Sequence, residues 1–161
     1  MKKIGHVLAL LAITAWVGGL WAIGYMVTPV LFQTLADRQT AGLLAGKFFA
    51  VIAYTGMVCA LYLLAYHFVQ SGKQAYRQKI VWVIAVMLLL TLAGQCGIQP
   101  IMADLKAQAL PGEVMNSPLA GQFKVWHGVA SIIYLLQSLL GVVLVLKAGR
   151  FSPCQANQAQ D

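Results

Sequence analysis

The chain reads as an all-α, polytopic membrane four-helix bundle. Three observations predict it. Four apolar stretches, at roughly 5–27, 46–69, 80–99 and 125–147, occupy most of the 161 residues. Hydrophobic residues make up 60% of the chain and charged residues 9%, and a helix needs about 20 apolar residues to cross the hydrocarbon core. The stretches are continuous, without the strand alternation of a barrel, and lipid forbids open backbone, so helices remain.

One domain over 1–150 is expected, with spans at about 5–27, 41–69, 80–99 and 118–147, and a polar, disordered tail over 151–161. The start Met1-Lys2-Lys3 resembles a signal peptide. The apolar run continues to Val27 without an Ala-x-Ala exit, which predicts a retained first span.

Thr28-Pro29 is expected to end or kink the first helix, because proline lacks a donor and disfavours helix before it. Thr40 is a candidate cap for the second. Pro100 is expected to interrupt the third. Met102, Leu105 and Ala109, opposite Asp104, Lys106 and Gln108, predict a short amphipathic segment between helices three and four, lying on the outer surface. Pro111-Gly112 should end it, and Ser117-Pro118 is a start signal for the fourth helix.

The net charge of +7 is distributed to orient the chain. With both termini cytoplasmic, the inner side carries Lys2, Lys3, Lys73, Arg77, Lys79, Lys147 and Arg150. The outer side carries Arg38, Lys47, Lys106 and Lys124. Seven basic residues against four is a positive-inside bias. It points to a bacterial-type inner membrane and to anionic lipid heads as partners. No aromatic-basic patch accompanies the charge, so nucleic acid is not expected. Cys59, Cys96 and Cys154 do not form a disulfide framework.

Small residues four apart let helices approach closely in lipid. Gly42-x-x-x-Gly46 on the second helix and Gly18 on the first are the expected packing glycines, and the Gly42–Gly46 edge also suggests a homo-oligomer. On this reading Gly46→Leu destabilises the protein.

No Asp, Glu, Lys or Arg falls in the middle of any span. Proton-coupled pumps and voltage sensors use such groups, and acid–base pairs for hydrolysis are missing as well. An accessory or small-ligand-binding protein is therefore expected, not an enzyme, and no cofactor is predicted. The polar residues that remain are uncharged. His127, Ser131, Tyr134, Ser138 and Gly141 share one stripe of the fourth helix. Thr91 and Gln95 form another on the third. These stripes either hydrogen-bond helix to helix, or they line an outer-facing pocket made by His127, Ser131, Tyr134 and Gln95.

An alternative is a haem- or copper-handling redox protein. His6 and His67 fall near the inner face at the ends of antiparallel neighbours, as two haem ligands would. Cys96, Met102, Met115 and His127 carry the soft sulfur and imidazole donors that suit monovalent copper.

The residues His6, Trp16-Val17-Gly18-Gly19, Pro29-Val30-Leu31-Phe32, Ala41-Gly42, Gly46, Phe123 and His127 together resemble the transmembrane protein 205-like family of four-helix membrane proteins. The resemblance covers essentially the whole chain. It implies a compact four-helix domain with both termini inside, and no particular chemistry.

Overall fold

The computed structural model describes residues 2–109 and 114–149. The turn expected at Pro111-Gly112 and the tail over 151–161 lie outside them. Four helices are long and apolar enough to cross a membrane: α1 (Lys3–Thr34), α2 (Arg38–Arg77), α3 (Lys79–Ala109) and α4 (Ala120–Gly149). Neighbours in sequence are neighbours in space. α1 packs on α2 and α4, and α3 packs on α2 and α4, which closes a four-sided bundle.

The bundle is apolar outside as well as inside. Only 22–28% of the most apolar stretch of each helix is buried. Ile4, Leu11, Met26, Val58, Leu61, Trp82, Leu89, Ile132 and Leu146 all point outward. A surface of this composition is stable against lipid, where helix association depends on packing and hydrogen bonds and not on hiding apolar groups from water.

The core lies toward one end. Ala9, Ile13, Trp16 and Val17 of α1 meet Ala60 and Leu63 of α2, Ile80, Ile84 and Met87 of α3, and Leu144 and Ala148 of α4. The start of α1, the turn between α2 and α3 and the end of α4 are at this end. α2 is α-helical to Ser71; Gly72, with φ 52°, ends that stretch, and a 3-10 turn, Gly72–Arg77, leads to α3, where Trp82 Nε1 donates to the Tyr76 carbonyl at 2.9 Å. At the other end α4 buries no residue before Gln137.

Neither proline ends its helix. Pro29 follows a π-helical stretch, Ile23–Val27, and Pro100 follows another, Ala93–Ile98. In each the ladder widens to i→i−5: the Thr28 N–H reaches the Ile23 carbonyl, and the Gln99 N–H reaches that of Gly94. The Thr28 hydroxyl donates to the same Ile23 carbonyl at 2.8 Å. The π turn accommodates the missing donor and the proline ring, so the helix continues past both. The segment read as a separate surface helix is therefore the last part of α3. It is amphipathic as expected, and Met102 and Leu105 are buried, on a segment packed against α4.

α2 begins earlier than Thr40. Asp37 is the cap: its carboxylate accepts from the Gln39 and Thr40 N–H groups, each at 3.0 Å, and from the Thr40 hydroxyl. At the start of α4 the Ser117 hydroxyl accepts from the Leu119 N–H at 3.2 Å, with Pro118 between them.

The close-packing glycines are not those the spacing singled out. A Cβ on Gly18 or Gly46 would meet nothing within 4 Å, and one on Gly42 only the tip of Phe32 at 3.9 Å. The seam of α2 runs one residue earlier, through Ala41, Ala45, Ile52, Gly56, Ala60 and Leu63. The glycines in tightest contact are Gly19 against Ile52, Gly24 against Tyr134, Gly56 against Trp16 and Gly141 against Val17.

Candidate functional site

A partly open cavity of about 320 Å³ lies at the end of the bundle that holds the core. His6, Ala9, Leu10 and Ile13 of α1 form one wall, and Leu63, Tyr66, His67, Gln70 and Ser71 of α2 form another. Gln78, Ile80 and Ala148 complete it. The volume is at the lower limit of small-molecule pockets, about 300–1,000 Å³. Its floor is aliphatic, and among the described residues its rim is polar but uncharged.

The rim is held by a hydrogen-bonded chain. Gln78, the residue before α3, stands between two residues of the last α-helical turns of α2, which end at Ser71. Its Nε2 donates to Ser71 Oγ at 2.7 Å, which turns its Oε1 toward His67 Nδ1 at 3.0 Å. An amide oxygen cannot donate, so His67 Nδ1 carries the proton. Among the described residues the lining contains no carboxylate to support an imidazolium. In the neutral ring Nε2 keeps its lone pair. Among the described residues that nitrogen has no hydrogen-bond partner.

Aromatic rings brace the same wall. Tyr62 and Tyr66 stack at 6.5 Å between centroids, and Tyr66 meets the His67 ring edge-on at 5.5 Å. The Tyr62 hydroxyl donates to the Gly5 carbonyl at 3.2 Å. A Cβ on Gly5 would be 3.2 Å from the Tyr66 ring, so the absence of a side chain there lets the ring approach the α1 backbone.

The structure thus brings His6 and His67 to one cavity. It does not gather the outer-pocket residues. His127 is exposed and stacks on Phe123 at 6.0 Å. Ser131 is exposed, and its hydroxyl donates to its own helix, at the His127 carbonyl. Tyr134 turns to α1, where its hydroxyl donates to the Leu20 carbonyl, and its ring contacts Tyr25 of α1 and Phe49 of α2. Among the described residues no hydrogen bond joins Gln95 to any of them. The reason is local: serine and threonine hydroxyls in a helix reach the carbonyl four residues back, as those of Thr14, Thr55, Thr91 and Ser138 also do.

The buried polar contact between α3 and α4 is made by other residues. Gln137 Nε2 donates to Thr91 Oγ1 and, at 3.1 Å, to the Met87 carbonyl. Cys96 and His127 are exposed whereas Met102 is buried. Among the described residues no three or more His, Cys, Asp or Glu side chains come together.

Sequence reasoning missed Gln78, Ser71 and Tyr66 as companions of His67. A signal existed in the polar residues crowding both sides of the short turn between α2 and α3. Their convergence depends on how that turn folds back.

Comparison with curated proteins and with solved structures gives no match. The sequence pattern of one family matches residues 11–111, from α1 to just past the end of α3, so that His67, Ser71 and Gln78 lie within it and His6 and Ala148 flank it. The chain, its four membrane-length helices closed around a core at one end, belongs to the family described as a domain of unknown function, DUF4149.

Proposed function

We propose that this is a small multi-pass inner-membrane protein that binds a small ligand in the cavity between His6 and His67, acting as an accessory or binding module and not as an enzyme. The observation that carries the reading is the Nε2 of His67, which has no hydrogen-bond partner among the described residues, at a cavity whose rim is already fixed by Gln78 and Ser71. A group held in place before the ligand arrives costs less to order on binding. The lack of charge in mid-span argues against proton-coupled transport. The basic residues near this end, Lys3, Lys73, Arg77, Lys79 and Lys147, support a cytoplasmic location for both termini. The narrower kinship with the transmembrane protein 205-like family rests on the short motifs around His6, Gly18, Pro29, Gly42 and His127. Self-association through Gly42 and Gly46 is supported by the open space over Gly46 and by the single light contact, with the tip of Phe32, over Gly42.

Native mass spectrometry of the protein in lipid nanodiscs tests the reading. A bound small molecule should be present in the wild type and absent when Leu63→Phe or Ala148→Phe fills the cavity, with circular dichroism confirming that the variants fold. A wild-type protein that carries nothing overturns it.

One observation favours a second reading. His6 and His67 border one space, and two imidazoles there suit a haem iron or a copper ion. A Soret band, or stoichiometric copper, that disappears with His6→Ala or His67→Ala would establish it.

A further inference from the structure

Resting on the reading of this cavity as a ligand site, we propose that its ligand is a neutral lipophile with a hydroxylated ring, of the phenol or quinol class, whose O–H donates to His67 Nε2. Four features lead to this class.

The first is the direction of the hydrogen bond. With Nδ1 donating to Gln78, a neutral His67 has only an acceptor to offer at Nε2. A carbonyl or ether oxygen cannot use it, whereas a hydroxyl can. The second is charge. Among the described residues the cavity is lined by no Lys, Arg, Asp or Glu, although basic residues are nearby in sequence on both sides of the turn. A phosphate or carboxylate head would lose its water here without gaining a counter-charge.

The third is shape. Tyr66 forms part of the lining and is braced by Tyr62, with the His67 ring edge-on beside it. Aromatic walls of this kind favour a flat ring in offset or edge-on contact. The fourth is polarity along the cavity. Ile13, Leu63 and Ile80 make a buried aliphatic floor, while His6, Gln70 and Ser71 make a polar rim. A volume of about 320 Å³ accommodates a ring head.

Binding to the purified full chain in nanodiscs tests the proposal with four probes: a benzoquinol bearing a decyl tail, kept reduced; its dimethyl ether; a decanoyl monoglyceride; and a phosphatidic acid. The quinol should bind at least about tenfold more tightly than its ether, since one lost hydrogen bond at a half-buried site is of that order. His67→Asn keeps an amide N–H toward Gln78 and removes Nε2. It should weaken the quinol about tenfold and leave the weaker ether unchanged. Leu63→Phe and Ala148→Phe should abolish both.

Equal binding of quinol and ether, or indifference to His67→Asn, overturns the hydroxyl assignment. Equal binding of the monoglyceride overturns the ring, and preference for phosphatidic acid overturns the neutral head. In each of these cases cavity-filling variants that still abolish binding leave the ligand site itself standing. Binding that survives Leu63→Phe and Ala148→Phe overturns the site and the proposal together.

Discussion

Gly56 lies directly against the indole of Trp16: a Cβ at Gly56 would be 2.3 Å from Trp16 Nε1 and 2.8 Å from Cδ1. Trp16 is only 1% exposed, and this contact is where the backbone of α2 closes on α1. The tryptophan at mid-depth is thus a packing residue that requires a glycine opposite it. Gly56→Ala should destabilise the fold by about 1–3 kcal/mol through overpacking, and Gly56→Leu by more. Thermal unfolding in detergent measures it. A wild-type melting temperature for Gly56→Leu would contradict the seam.

Gly46 gives the opposite expectation, and it replaces the one drawn from spacing. Open space surrounds a Cβ there, so Gly46→Leu should leave the stability of the monomer within about 0.5 kcal/mol of wild type. If copies associate through this face, the same substitution should shift the assembly to smaller species in light scattering with no change in monomer melting.

The Gln137 amide ties α4 to α3 at Thr91 and the Met87 carbonyl, and both side chains are buried. Thr91→Val should cost about 0.6 kcal/mol and no more than about 1.7, the mean and the maximum for interhelical hydrogen bonds in a membrane protein. Gln137→Leu should cost a similar amount. The double variant should be less damaging than the sum, because no buried polar group remains unpaired. A double-mutant cycle in unfolding free energy checks the coupling, and strict additivity would remove it.

Tyr134 joins α4 to α1 just before the first π turn, with its hydroxyl on the Leu20 carbonyl and its ring filling the space over Gly24. Tyr134→Phe removes only the hydrogen bond and should cost about 1 kcal/mol. Gly24→Val inserts a side chain where the ring stands, 2.3 Å from its nearest carbon, and should cost more. The order of the two melting temperatures tests the geometry.

Asp37 is the pH-sensitive cap. The Thr40 hydroxyl, and then the Gln39 and Thr40 N–H groups, hold its carboxyl below the ordinary carboxylate value. A depressed carboxylate stabilises the fold above its unfolded pKa. That contribution is lost as pH falls through the lower folded value, so the first turn of α2 should loosen only below about pH 4. Amide exchange at Gln39 and Thr40 follows it. Asp37→Asn should retain most of the protection with no pH step in this range, and a step that persists in Asp37→Asn would assign it elsewhere.

The sequence by itself determined the class and the number of spans. Backbone groups in lipid must be paired within the segment, and four long uncharged runs therefore had to become four helices. It also showed the end signals that act locally, such as Ser117-Pro118, because a cap depends on residues two or three apart. What the sequence could not decide was which face of each helix turns inward. A soluble helix announces that face by its polar stripe, but here lipid is as apolar as the core and both faces carry Leu, Val and Ala. Two overlapping small-residue stripes on α2, Ala41 with Ala45 and Gly42 with Gly46, are equally plausible on paper and differ by one residue, about 100° of rotation. Only the packing of Trp16 on Gly56 selected the alanines. The same holds for the histidines: placing His6 and His67 near one membrane face follows from counting residues along the spans, whereas fixing the proton on His67 required Gln78 to fold back across the turn between α2 and α3. The two prolines were legible as disturbances, but their outcome depended on whether the helix ahead could widen by one residue per turn, and neighbouring helices held it in that form.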